Sequence, residues 1–258
     1  MARNTFFLVL CVLVGIVLVG AGPVAALPMP DTTVSEVKLV GAGSLTDWIS
    51  IGADSGTVIL GPYSLKVPST DVALAWMCFD AAPTMHLNQT WSAYLTDNAT
   101  KAADLWFHGD LFGEQKVRMI SWLANQWDRT SAAQMGAINE AIWEISADYA
   151  GLGTLDLATG SFQTKATSAY RTLANSYLTA ALGLPADSDY GQSLFLIPLI
   201  DGTKDVDWNN VNHTIQPFVT VVPTPEPGTL LLLGSGLVGL AAFTSRRNHG
   251  RHPGSPGA

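Results

Sequence analysis

The hydrophobic period of this chain changes twice, and that change limits the folds open to it. Short runs rich in Val, Ile, Leu and aromatic residues come first, at 35–40, 57–60, 64–67 and 72–79. Bounded by Gly, Pro, Asp and Ser, they read as β-strands, with turns expected at Asp54-Ser55-Gly56 and Gly61-Pro62. The period then lengthens. Residues 115–127 are expected to be helical, and in 132–147 Met135, Ile138, Ile142 and Ile145 recur at helical spacing. Ser131 followed by Gln134 fits a capping box at the start of that second helix. Residues 162–182 place Phe162, Ala166, Ala169, Tyr170, Leu173 and Tyr177 on one stripe and read as another long helix. Strand-like runs return at 193–200 and 215–222. Strands, then helices, then strands again predict an α+β fold, with β-sandwich or barrel-like strands and an inserted helical subdomain, rather than a doubly wound sheet.

The two ends of the chain do not belong to that pattern. Of 258 residues, 48% are hydrophobic and only 13% charged, against about 25% charged in an average globular protein. The excess apolarity is concentrated at the termini. Residues 1–26 begin with Arg3, continue through an apolar run over 6–19 and end Val24-Ala25-Ala26, the three-part order of a secretory signal. Cys11 lies inside this run without the small residues that a lipoprotein signal places before its cysteine. Cleavage after Ala26 leaves Cys78 as the only cysteine, without a partner for an intramolecular disulfide. Between Leu27 and Val222 stand 9 basic against 20 acidic side chains, a net −11. Such a middle repels phosphate backbones and excludes nucleic acid as a partner.

At the other end, Pro225-Glu226-Pro227 precedes an apolar segment over 228–243 and then Arg246-Arg247. Sixteen helical residues reach roughly 24 Å, just enough to span as a C-terminal transmembrane helix. The arginines hold its end in the cytoplasm. Motif, apolar run and basic pair in this order resemble the PEP-CTERM sorting signal over 223–247. The resemblance implies an exosortase as partner, a membrane contact through the C-terminal helix, an inner-membrane-anchored intermediate, and final delivery to the cell surface or extracellular matrix. Residues 248–258 read as a disordered tail. The same segment contains Gly234-Ser235-Gly236-Leu237-Val238-Gly239, but no strand precedes it and the chain ends before an acidic partner appears. It reads as small-residue packing in a membrane helix, and no cofactor is expected.

Within the domain spanning 27–222, one constellation carries chemistry. Trp76-Met77-Cys78-Phe79-Asp80 ends a strand with the lone thiol, and Asn139-Glu140-Ala141-Ile142-Trp143 lies on the central helix. The pair resembles the thioester domains of bacterial surface adhesins. There a strand Cys is joined to a Gln two residues before Ala-Ile-Trp, with loss of ammonia, and the thioester later acylates a surface nucleophile. On that resemblance Cys78 matches the Cys, and Ala141, Ile142 and Trp143 match Ala-Ile-Trp. The Gln position is Asn139, one methylene shorter. Cys78 and Asn139 are therefore the thioester candidates, and Trp76, Ala141, Ile142 and Trp143 the walls of the site.

Other chemistries find less support. No H-E-x-x-H, C-x-x-C or G-x-S-x-G is present, and no enzymatic turnover is expected. Asp110 with Glu114, and Glu140 with Glu144, stand four apart and read as solvated acidic helix faces. Asp205-Val206-Asp207-Trp208-Asn209-Asn210 has oxygens at alternate positions but lacks the glycine and the bidentate Glu of a calcium loop. It reads as a polar turn, and no metal is expected. Trp91, Trp106, Trp122, Trp127 and Trp208 supply candidate stacking surfaces for sugars. The expectation is an exosortase-sorted surface or biofilm-matrix protein with an adhesion-type, non-catalytic, thioester-like domain. The alternative is non-covalent binding of exopolysaccharide or another surface ligand, or a structural matrix role.

Overall fold

Strand β1 (Thr32–Ile51) organises the sheet because it is long enough to serve several neighbours. The computed structural model describes residues 30–68, 74–83, 85–151, 155–185, 193–200 and 206–221. β1 pairs antiparallel with β4 (Thr90–Thr96) through its first residues and with β2 (Asp54–Lys66) from Lys38 onward. Its far end also takes the short β5 (Phe162–Thr164). β3 (Leu74–Cys78), β7 (Phe218–Val221) and β6 (Ser193–Leu199) complete an antiparallel seven-stranded sheet ordered β2-β3-β7-β6-β4-β1-β5. The added β1–β2 pairing closes six of these strands into a ring, which removes most of the exposed edge.

Register shifts in the β1–β2 ladder between Leu39 and Thr46 let the long strand bend from one neighbour to the other. Gly61-Pro62 belongs to this irregularity inside β2 and is not the expected turn. The hairpin instead reverses at Gly52-Ala53, with Gly52 at φ +56°, and Asp54-Ser55-Gly56 already lies in the ladder. Gly43 faces the bulge so closely that a Cβ there would lie 2.1 Å from the Gly61 carbonyl oxygen.

Four helices fall between β4 and β6. They are α1 (Ala99–Trp106), α2 (Gly113–Asn125), α3 (Ala132–Asp148) and α4 (Arg171–Leu182). The architecture is therefore α+β. β4 and α1 occupy a stretch where the sequence suggested no element, although Trp91, Ala93 and Leu95 alternate inward there. Ser131 Oγ caps α3 by accepting from Gln134 N at 3.1 Å. The Gln134 side chain does not complete a capping box; it reaches Tyr177 Oη and the Asp128 and Gln126 backbone.

The expected long helix over 162–182 divides. Asp148 accepts from Ser161 N and Phe162 N, at 2.9 and 2.7 Å, and holds this segment extended, so Phe162 enters the sheet opposite Ile51. The helix begins only at Arg171, and its buried residues are Ala174, Leu178 and Ala181. Leu173, on the expected stripe, is exposed. A competing hydrogen-bond acceptor thus outweighed the helical spacing.

α3 is buried without interruption from Met135 to Ile145, packed among α2, α4, β1, β2 and β5. A helix enclosed on every side loses the one-sided pattern of a surface helix. In the core Phe79 meets Trp106 and Phe195 edge-on, and Trp143 of α3 meets Phe162 in the same manner. Among the described residues no helix is long and apolar enough to cross a membrane. The candidate span over 228–243 lies outside them.

The close approach at Gly43 is testable. Gly43→Ala must push β1 away from the Gly61 carbonyl, and thermal and urea unfolding should register a loss of about 1–3 kcal/mol. Unchanged stability would contradict the described β1–β2 contact.

Candidate functional site

Cys78 closes β3, and Asn139 lies 61 residues later in the middle of α3. Strand alternation and helix burial turn both inward, and both are completely inaccessible to solvent. The neighbours of the amide fix its orientation. Trp143 Nε1 is a donor and the Leu60 carbonyl an acceptor, so the hydrogen-bond network turns Asn139 Oδ1 toward Trp143 (3.1 Å) and Nδ2 toward Leu60 (3.1 Å). Trp143 stands one turn along the same helix, as a shared inner face requires. The amide position facing Trp143 is 3.9 Å from Cys78 Sγ, within the reach of a sulfur hydrogen bond. In this orientation the thiol donates to an oxygen that the indole already polarises.

Burial pushes the Cys78 thiol up to about 12, and the polar contacts of the sulfur with Tyr63 and Trp143 only partly oppose that rise. The nearby Asp80 carboxylate adds to the rise. Tyr63, on β2, donates to the Ile59 carbonyl at 2.5 Å, and its own pKa is raised by burial and then by Cys78. The sulfur therefore rests as a neutral thiol in a dry pocket. Sequence reasoning missed Tyr63 and the Leu60 carbonyl. Tyr63 carries no signal beyond strand alternation, and a backbone acceptor carries none.

The expected walls separate. Trp143 touches the amide, and Ile142 lies on the same side of α3. Ala141 follows Asn139 by two residues, roughly 200° around the helix, and so faces away from it. Trp76 stands across the ladder from Tyr63, buried, with its indole nitrogen unpartnered.

Glu140 and Glu144 are not a solvated face. Enclosure of α3 leaves them 0% and 1% exposed. Glu140 Oε1 accepts from Ser168 Oγ at 3.2 Å, and its carboxyl also meets that of Asp47. Burial, then the Asp47 contact, push it up to about 9. Glu140 Oε2 and Asp47 Oδ2 are buried without a hydrogen-bond partner, and burial favours the protonated form of Glu140. Glu144 Oε1 accepts from Asp156 N at 2.9 Å, and burial pushes this residue up to about 8. The other pair is dispersed into ion pairs, Asp110 with Lys116 (2.8 Å) and Glu114 with Arg118 (2.6 Å).

Of the candidate stacking residues, Trp91 and Trp106 belong to the core, Trp122 and Trp127 are half-buried, and Trp208 is 45% exposed. Asp207 Oδ1 is engaged in capping the short 3₁₀ turn Trp208–Asn210, where it accepts from Asn209 N at 2.9 Å. Among the described residues no cluster of three or more His, Cys, Asp or Glu side chains is arranged to hold a metal.

The family model of the PEP-CTERM protein-sorting motif matches residues 223–247. This stretch contains Pro225, Glu226, Pro227, Arg246 and Arg247, all of which lie outside the described residues, as does the candidate signal over 1–26. The motif implies export, a membrane-anchored intermediate held by the C-terminus, and processing by an exosortase. No curated protein and no solved structure matches the chain. The likeness to thioester domains therefore rests on the residues alone.

The buried carboxyls set a pH dependence. Both folded-state values lie above the ordinary 4.5, so the stabilisation is complete below about 4.5 and is lost as pH rises toward 8 and 9. Urea midpoints should fall between pH 6 and pH 9, with a shallower fall in Glu140→Gln. A midpoint constant or rising over that window would contradict the buried neutral state.

Proposed function

We propose that the chain is an exosortase-processed surface or matrix protein whose folded domain is an attachment module without turnover. Its Cys78–Asn139 pair forms an internal thioester. The observation that carries this reading is the meeting of the only described thiol with a carboxamide whose oxygen accepts from Trp143 Nε1, in a pocket closed to water.

The chemistry is an acyl transfer within one molecule. Cys78 Sγ attacks Asn139 Cγ, the Cγ–Nδ2 bond breaks, and the thiol proton leaves with the nitrogen as ammonia. Trp143 Nε1 donates to the oxygen on which negative charge develops. Fixed neighbours replace the entropy of encounter. The high pKa of the thiol makes the attack slow, but bond formation is needed once per molecule. Burial then protects the product from hydrolysis. Opening of the pocket to an amine on a surface ligand would transfer the acyl group and free the thiol.

Intact-mass measurement of the purified chain tests this directly. The expected mass is lower than the sequence mass by one ammonia; methylamine adds to it, and Cys78→Ala and Asn139→Ala each abolish the loss. A full sequence mass, with a thiol that titrates after unfolding, would overturn the thioester.

A further inference from the structure

We infer that the stacked rings of Trp208 and His108 form a binding platform for a neutral, β-linked polysaccharide of gluco-configured pyranoses. The two rings come from separate parts of the chain, the turn before β7 and the end of α1. They lie 4.5 Å apart and 3° from parallel. Trp208 is 45% exposed and the His108 side chain 43%. The stack covers one face of each ring, and a large part of each residue is still open to water.

The platform is pre-formed. Asp207 caps the turn that carries Trp208. Lys101 Nζ donates to the Val206 carbonyl at 3.3 Å, which fastens the turn to α1. Asp104 Oδ1 faces His108 Nδ1 at 3.4 Å and orients that ring. Ile200, also exposed, joins the same turn through its N–H to the Asn210 carbonyl at 2.8 Å. A rigid aromatic plane loses little entropy when a ligand lands on it.

The ligand class follows from shape and charge. A pyranose with all substituents equatorial presents a flat face of axial C–H groups that matches an aromatic plane, while its hydroxyls point outward toward the Asp104 and Lys101 rim. The chain carries a net charge of −8, which disfavours an anionic polymer such as a polyuronate. This platform does not depend on the Cys78 chemistry.

Titration of the full chain with cellohexaose, followed by tryptophan fluorescence and calorimetry, tests the proposal. Cellohexaose should bind and polygalacturonate should not. Trp208→Ala should weaken binding at least about tenfold, as loss of an aromatic anchor does, and Trp208→Phe should restore most of it. Cys78→Ala should bind as the wild type does. No binding by the wild type, equal binding by Trp208→Ala, or stronger binding of polygalacturonate would overturn it. So would concentration-dependent dimerisation abolished by Trp208→Ala, which would make the patch a contact between two copies.

Discussion

Everything in this domain is arranged around the enclosure of α3. A helix with no solvent-facing side must find a partner for each polar group it carries, because an unpaired polar group in a dry interior costs several kcal/mol, on the order of 2–7. α3 carries three polar side chains in that condition, Asn139, Glu140 and Glu144. Their needs fix its surroundings. Asn139 ties the helix to the Leu60 carbonyl of β2 and to Cys78 at the end of β3. Glu140 ties it to β1 through Asp47 and to Ser168, and Glu144 ties it to the backbone at Asp156. The ring of strands and the inserted helices are joined by these few polar contacts as well as by the packing of Trp143 on Phe162.

The same enclosure gives the pocket its chemical character. Removing water raises the thiol and the two glutamates together, by one cause acting on three groups. In the same enclosure the Asn139 oxygen accepts from the Trp143 indole and faces the sulfur. The shorter side chain of Asn, compared with the Gln of the thioester domains that the sequence resembles, still reaches contact with Cys78. The sorting motif at 223–247 implies export and processing by an exosortase.

How much of this was legible in the sequence differs from residue to residue. The α+β order, α3 and its Ser131 cap, and the inward direction of Asn139 follow from periodicity and capping chemistry. The division of 162–182 does not, because it depends on Asp148, a distant acceptor whose role appears only once α3 and β5 are adjacent. Glu140 and Glu144 misled for a related reason. Acidic side chains four apart usually face water, and the sequence gives no sign that a second layer of chain covers them. Gly61-Pro62 has the composition of a turn but serves a bulge, because Gly43 on the opposite strand allows the backbones to approach. The platform of Trp208 and His108 joins positions a hundred residues apart and was visible only as one of five candidate tryptophans.

The bond proposed between Cys78 at the end of β3 and Asn139 on α3 is open to direct observation. A high-resolution crystal structure of the natively produced protein measures it most directly. Continuous density from Cys78 Sγ to Asn139 Cγ, with no density for Nδ2 and with Trp143 Nε1 on the remaining oxygen, is the result the account predicts. Two separate side chains, with an intact amide held between Leu60 and Trp143 and a free thiol beside it, would contradict it.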